Sequence, residues 1–256
     1  MPNPLPHPLD VPNYDAPLVP ARMGANSLPG LRRVHFGLGL VLINAWLMLA
    51  VSVVGILNPI LIAVSNGSVL GVLWSVQYVS LTALFANFAG KTICLSAPKE
   101  IEGRTYLYTC FVYMLIAVGI TLTTLVWTVL PGFAMSIGPP AQLLSTIFFV
   151  LFLRELANFL EAPPLVGRAT TVVILTIVGF IFSLGQLVLR FQFAGGFQPS
   201  RGAAPAGQAN VLPTIQTALS IVSFIYSVVV LFVTIKYLIL LIRLRGRLRN
   251  CWMPMS

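Results

Sequence analysis

The sequence is poor in every group that catalysis in water relies on. It holds two histidines, three cysteines and six carboxylates in 256 residues, and only 8% of it is charged, against about a quarter in an ordinary soluble domain. Neither His7 nor His35 belongs to HExxH or to any pair at metal-ligand spacing, and no G-x-S-x-G, P-loop or GxGxxG pattern opens a helix. Asp10 and Asp15 both precede the first apolar run, which excludes paired-aspartate proteolysis inside a membrane. Cys94, Cys110 and Cys251 are odd in number and lack zinc spacing, so neither a disulfide framework nor a metal centre is expected. They read as ordinary buried or interfacial thiols, with acylation of Cys94 or Cys251 near the membrane as the alternative. No enzyme activity, cofactor or metal is expected.

What the chain has in abundance is apolar length. Six runs fill most of it: Val34–Leu57, Ser68–Gly90, Thr105–Leu130, Gln142–Leu160, Ala169–Leu189 and Val211–Ile242. A hydrocarbon layer about 30 Å thick takes about 20 residues of helix, and each run meets or approaches that length. The runs do not alternate polar with apolar residues, so helices rather than barrel strands must pair the backbone groups. The fold expected is an all-α integral membrane protein of six transmembrane helices in three hairpins. Residues 1–33 form a proline-rich cytoplasmic tail, 34–242 the membrane domain, and 243–256 a basic juxtamembrane tail. The first run exceeds the roughly 7–15 apolar residues of a cleavable signal, so it is expected to stay as an anchor.

Charge sets the expected orientation. Thirteen of the fifteen Lys and Arg residues fall on one side: before the first run, between the second and third, bracketing the connection from fourth to fifth (Arg154 and Arg168), or from Lys236 to the end of the chain; Arg190 and Arg201 are the exceptions. This positive-inside bias puts both termini in the cytoplasm and the protein in the cytoplasmic membrane as a multi-pass chain. The net charge of +9 therefore flanks spans instead of lining a groove, and no nucleic-acid partner is expected. Arg243, Arg245, Arg247 and Arg249 are expected to contact anionic lipid headgroups, at about 1 kcal/mol each.

Connections follow from punctuation. Asn58-Pro59 and Asn66-Gly67 mark the first outer connection, Pro131 to Pro140 the second, and Phe191–Asn210, rich in Gly, Ala and Pro, the third. The leader before Ser27 and Gly195–Asn210 are expected to be irregular. Pro17-Leu18-Val19-Pro20-Ala21-Arg22 fits a PxxPxR ligand but occurs in a leader that reads as plain extended chain. A faint repeat links Ala86-Asn87-Phe88 with Ala157-Asn158-Phe159.

Few polar residues remain as site candidates. Asn44 and Gln77 lie at comparable depth in neighbouring runs and read as an interhelical hydrogen bond worth about 0.6 kcal/mol, or as a solute-binding pair. Thr121, Thr123 and Thr124 complete the inventory of the membrane middle. About 13 residues of the fourth run precede Arg154, too few to cross the hydrocarbon alone. Arg154 and Glu155 are therefore expected in the inner leaflet or at its headgroups. Arg154, Asn158 and Glu161 share a face, and Asn87 and Lys91 make a similar pair on the second run. Together Asn87, Lys91, Arg154, Glu155, Asn158 and Glu161 form a candidate polar cluster, with Glu155 near Lys91 and Arg154 reaching Glu161 or the surface. The sixth helix is expected to run unbroken into the cytoplasm with Leu244 and Leu248 on one edge, Gly246 being its weakest point. The leading functional expectation is a non-enzymatic scaffold or complex subunit that binds lipid and other membrane proteins. The alternative is a small-solute transporter or channel with a polar vestibule at the inner end of helices two and four.

Overall fold

The computed structural model describes the backbone of residues 27–64, 70–126, 132–196 and 211–252. It is all-helical there: α1 (Leu28–Val64), α2 (Leu70–Cys94), α3 (Arg104–Val126), α4 (Gly132–Phe159), α5 (Pro163–Gly196) and α6 (Val211–Trp252). Five of these are long and apolar enough to cross a membrane: Leu28–Val54, Arg104–Thr123, Gly138–Phe159, Pro163–Val188 and Phe224–Cys251. The described side chains of α2 begin at Tyr78. This set of helices fits a multi-pass membrane protein.

Each helix packs chiefly on its neighbours in the chain, and α6 closes back onto α1, with the α2–α3 seam the thinnest. The start of α1, the end of α2 and the end of α6 meet at one end of the bundle. There a Cβ at Gly37 would sit 2.7 Å from the Gly90 carbonyl oxygen, and one at Gly39 would lie 3.5 Å from the Arg245 guanidinium. That end holds the core. Leu31, Val34, Leu38 and Val41 of α1, Phe149, Phe152, Leu153 and Leu156 of α4 and Leu240, Leu241, Leu244 and Leu248 of α6 belong to one buried cluster. Their spacing of three and four residues is that of one helix face.

Two short turns close this end. Residues 95–103 tuck beneath the bundle with Ala97 and Ile101 buried, and Gly103 lies so close to α4 that a Cβ there would stand 2.7 Å from Glu155 Cβ. The α4–α5 turn is a Schellman cap. The Ala162 N–H donates to the Ala157 carbonyl and the Glu161 N–H to the Asn158 carbonyl, both at 3.0 Å, while Glu161 takes a left-handed φ of 52°. Pro163 then opens α5, where its missing N–H costs nothing.

Several boundaries differ from those expected, and proline explains most of the differences. Helix α1 runs through Asn58-Pro59 to Val64, and α4 starts at Gly132 and carries Pro139 and Pro140 inside it. In apolar surroundings ending a helix strands several backbone groups, whereas a proline forfeits one hydrogen bond, so the helix persists. The early start of α4 also removes the argument that placed Arg154 in the inner leaflet, because the helix already has 22 residues before it. Helix α5 extends to Gly196, into the segment expected to be irregular. Helix α6 is continuous through Gly246 as far as Trp252; its 42 residues make it about 63 Å long. The leader before Ser27, Asn66-Gly67, Pro131 and 197–210 lie outside the described residues, as do the side chains of Gln77, Thr124, Arg190 and Arg201.

Candidate binding cavity

The six residues expected as one polar cluster fall into two places. Asn87 and Lys91 point into the bundle and are only 3% and 2% exposed. Glu155, Asn158 and Glu161 turn the other way and, with Glu100 and Glu102 from the α2–α3 turn, line a cleft of about 360 Å³. Asn158 Nδ2 donates to Glu155 Oε2 at 3.5 Å. No ion pair joins Lys91 to Glu155 or Arg154 to Glu161, and Arg154 Nε is buried without a partner. The separation follows from helix geometry. Gly103 packs against Glu155 Cβ, so the turn stands between that carboxylate and the bundle interior. Asn87 and Asn158, the matching positions of the faint repeat, thus occupy unlike surroundings.

Lys91 has found a different partner. Its Nζ donates to Ser145 Oγ of α4 at 3.0 Å and stands 5.3 Å from the centre of the Phe149 ring. Ser145 in turn lies 3.3 Å from Cys110 Sγ and 3.7 Å from Met114 Sδ, so three helices contribute to one small polar knot. Sulfur is a weak hydrogen-bonding group. The knot therefore holds a buried amine with one good acceptor, one ring face and no carboxylate. Nothing in the sequence pattern marked Ser145, one of many hydroxyls in apolar helices.

Directly beside this knot the bundle is hollow. A cavity of about 330 Å³ lies between α1, α2, α4, α5 and α6, at the small end of the range for ligand pockets. Apolar side chains such as Met48, Leu143, Val230 and Val233 form much of its wall. Asn44 from α1 and Asn87 from α2 both line it, and each has a buried Oδ1 with no hydrogen-bond partner. Gln142, Thr146, Thr176, Thr234, Tyr226 and Tyr237 supply its other polar groups. Gly179 of α5 also faces it, and a Cβ built there meets nothing within 4 Å.

No protein-family model, curated protein or solved structure matches this chain. Its function must be read from the site.

Asn44 was expected to bond Gln77 or to bind solute. Its amide oxygen is buried and finds no protein partner, and the residue forms part of the cavity wall. Thr121 and Thr123 donate to the carbonyls of Ala117 and Gly119 within α3 and take no part in the cavity wall. Cys94 and Cys110 are fully buried, out of reach of an acylating enzyme in the folded bundle. Among the described residues no three His, Cys, Asp or Glu side chains gather closely enough to hold a metal ion. Of the four arginines expected at headgroups, Arg243 and Arg249 are exposed and Arg245 and Arg247 partly so. The polar cavity residues and the glycine that sequence reasoning missed are Gln142, Thr146, Thr176, Gly179, Tyr226, Thr234 and Tyr237. Their signal was too common: single hydroxyls and glycines occur throughout apolar helices without any site.

Proposed function

We propose that this is a non-enzymatic multi-pass membrane protein that binds a small ligand within its helix bundle, as a carrier or receptor for that ligand. The observation that carries this reading is the cavity of about 330 Å³ among five helices, with a largely apolar wall and a few polar side chains. The close-packed layer of Phe149, Phe152, Leu240 and Leu241 beside the cavity supports a site closed toward the end where the chain's basic residues gather. By the positive-inside rule that end is cytoplasmic, with both termini inside and the six helices forming three hairpins. Saturable binding of naphthalene to the protein in lipid nanodiscs tests the reading. Gly179→Leu, which fills the hollow, should abolish binding while leaving the protein folded. Unsaturable partitioning that Gly179→Leu does not alter would refute a binding site.

The scaffold reading retains one observation in its favour. Helix α6 is about 63 Å long against a hydrocarbon layer of about 30 Å, and its excess carries Arg243, Arg245, Arg247 and Arg249. That basic ladder suits anionic headgroups of the cytoplasmic leaflet or an acidic membrane partner. Vesicle binding by the α6 end that does not respond to salt would remove this reading, since headgroup attraction is screened within a Debye length.

A further inference from the structure

The basic ladder of α6 is made of two pairs that face opposite ways. On a helix, residues four apart point about 40° apart and residues two apart about 200°. Arg245 and Arg249 therefore share one face, and Arg243 and Arg247 share the other. The first pair faces α1. A Cβ at Gly39 would lie 3.5 Å from the Arg245 guanidinium, and Arg245 and Arg249 both act electrostatically on His35. The start of α1 and the end of α6 meet at one end of the bundle, so the two helices run antiparallel there. One turn of α1, from Gly39 back to His35, then matches one turn of α6, from Arg245 on to Arg249.

Two guanidinium groups and an imidazole thus converge on the seam between α1 and α6. A guanidinium cannot shed its charge, and two of them one turn apart on a helix repel. A phosphate gives each a bidentate acceptor and turns that repulsion into attraction. The chain's four glutamates all line the cleft formed by the other turns. The level of the seam points to a lipid as the source of the phosphate. The apolar run of α1 begins at Val34 and that of α6 ends at Ile242, so hydrocarbon gives way to headgroups here. Ile43, one turn from Gly39, and Ile242, one turn from Arg245, continue the two stripes toward the membrane middle, and both are exposed. Resting on the lipid-binding reading of the α6 ladder, we infer that Arg245, Arg249 and His35 form one specific site for the phosphate of an anionic phospholipid. Its acyl chains run along Ile43 and Ile242, and Arg243 and Arg247 add only general attraction.

Native mass spectrometry, which counts the lipids that the protein keeps on release from detergent, tests the inference. The probes are phosphatidylglycerol, phosphatidylcholine and inorganic phosphate, at physiological ionic strength, where exposed charges more than about 8 Å apart are largely screened. The wild-type protein should keep one phosphatidylglycerol about tenfold more tightly than phosphatidylcholine. Arg245→Gln with Arg249→Gln should erase that preference. Arg243→Gln with Arg247→Gln, the same change in net charge, should leave it within about twofold of the wild type. Should the first pair misfold, the second still decides, because general attraction requires that removing half the ladder weaken the preference. Equal losses from the two pairs would overturn the site and leave the ladder's general attraction standing. No preference for phosphatidylglycerol in the wild type would overturn both. Displacement of phosphatidylglycerol by an equal concentration of inorganic phosphate would overturn the lipid as the ligand and assign the site to a soluble phosphate.

Discussion

Replacing Ser145 with alanine should cost far more than its size suggests, and should do so only while Lys91 is present. Ser145 Oγ accepts from Lys91 Nζ at 3.0 Å inside a bundle where both residues are buried. Leaving a buried donor without its acceptor costs about 1–3 kcal/mol. Removing the acceptor leaves the amine only the Phe149 ring, a contact worth about 2 kcal/mol at best, so Ser145→Ala should destabilise by about 2 kcal/mol. Lys91→Met keeps the apolar stem and deletes the amine together with its desolvation cost. Ser145 then retains Cys110 and Met114 as neighbours, so that variant should be neutral or stabilising by about 1 kcal/mol. With the amine gone, adding Ser145→Ala should cost less than about 0.5 kcal/mol, giving a coupling of about 2 kcal/mol in the double-mutant cycle. Equilibrium unfolding in mixed micelles with a denaturing detergent reads all four stabilities. Glu155→Ala combined with Lys91→Met serves as the control and should be additive, because the two residues make no contact. A full 2 kcal/mol loss from Ser145→Ala in the Lys91→Met background would refute the reasoning.

Two further outcomes follow from the packed end. Gly37→Ala should loosen the α1–α2 crossing by about 1–3 kcal/mol, because the new Cβ would meet the Gly90 carbonyl oxygen at 2.7 Å and Cys94 Sγ at 2.8 Å; unchanged unfolding free energy would mean that the helices separate without cost. Glu161→Gly should stabilise by about 1 kcal/mol, since Glu161 holds the left-handed φ of the α4 cap and glycine takes that conformation without strain; a loss of stability would show that the carboxylate itself matters to the turn.

The helices were legible in the sequence because lipid demands long apolar runs and little else. Their ends were less so. The rules that stop a helix at Asn58-Pro59 or at Pro139-Pro140 hold in water, where freed backbone groups find solvent, and they weaken where no solvent is at hand. Faces were harder still. A span that is apolar all round carries no periodic signal of which side meets its neighbours, so Lys91 and Glu155 looked like one cluster although the structure turns them apart. Asn44, Asn87 and Lys91 drew notice as polar residues in apolar runs, and all three are buried at or beside the cavity. Ser145, Thr176, Gly179 and Tyr237 gave no warning, because what makes them part of a site is empty space, and empty space leaves no trace in a sequence.

The most direct test of the account is a structure of the protein in nanodiscs with a bromine-substituted naphthalene bound, the halogen located by its anomalous or density signal. The account predicts the bromine inside the bundle, in the hollow bounded by Asn44, Asn87, Gly179 and Tyr237. Bromine found only on the lipid-facing surface of the helices, with the hollow empty, would contradict it.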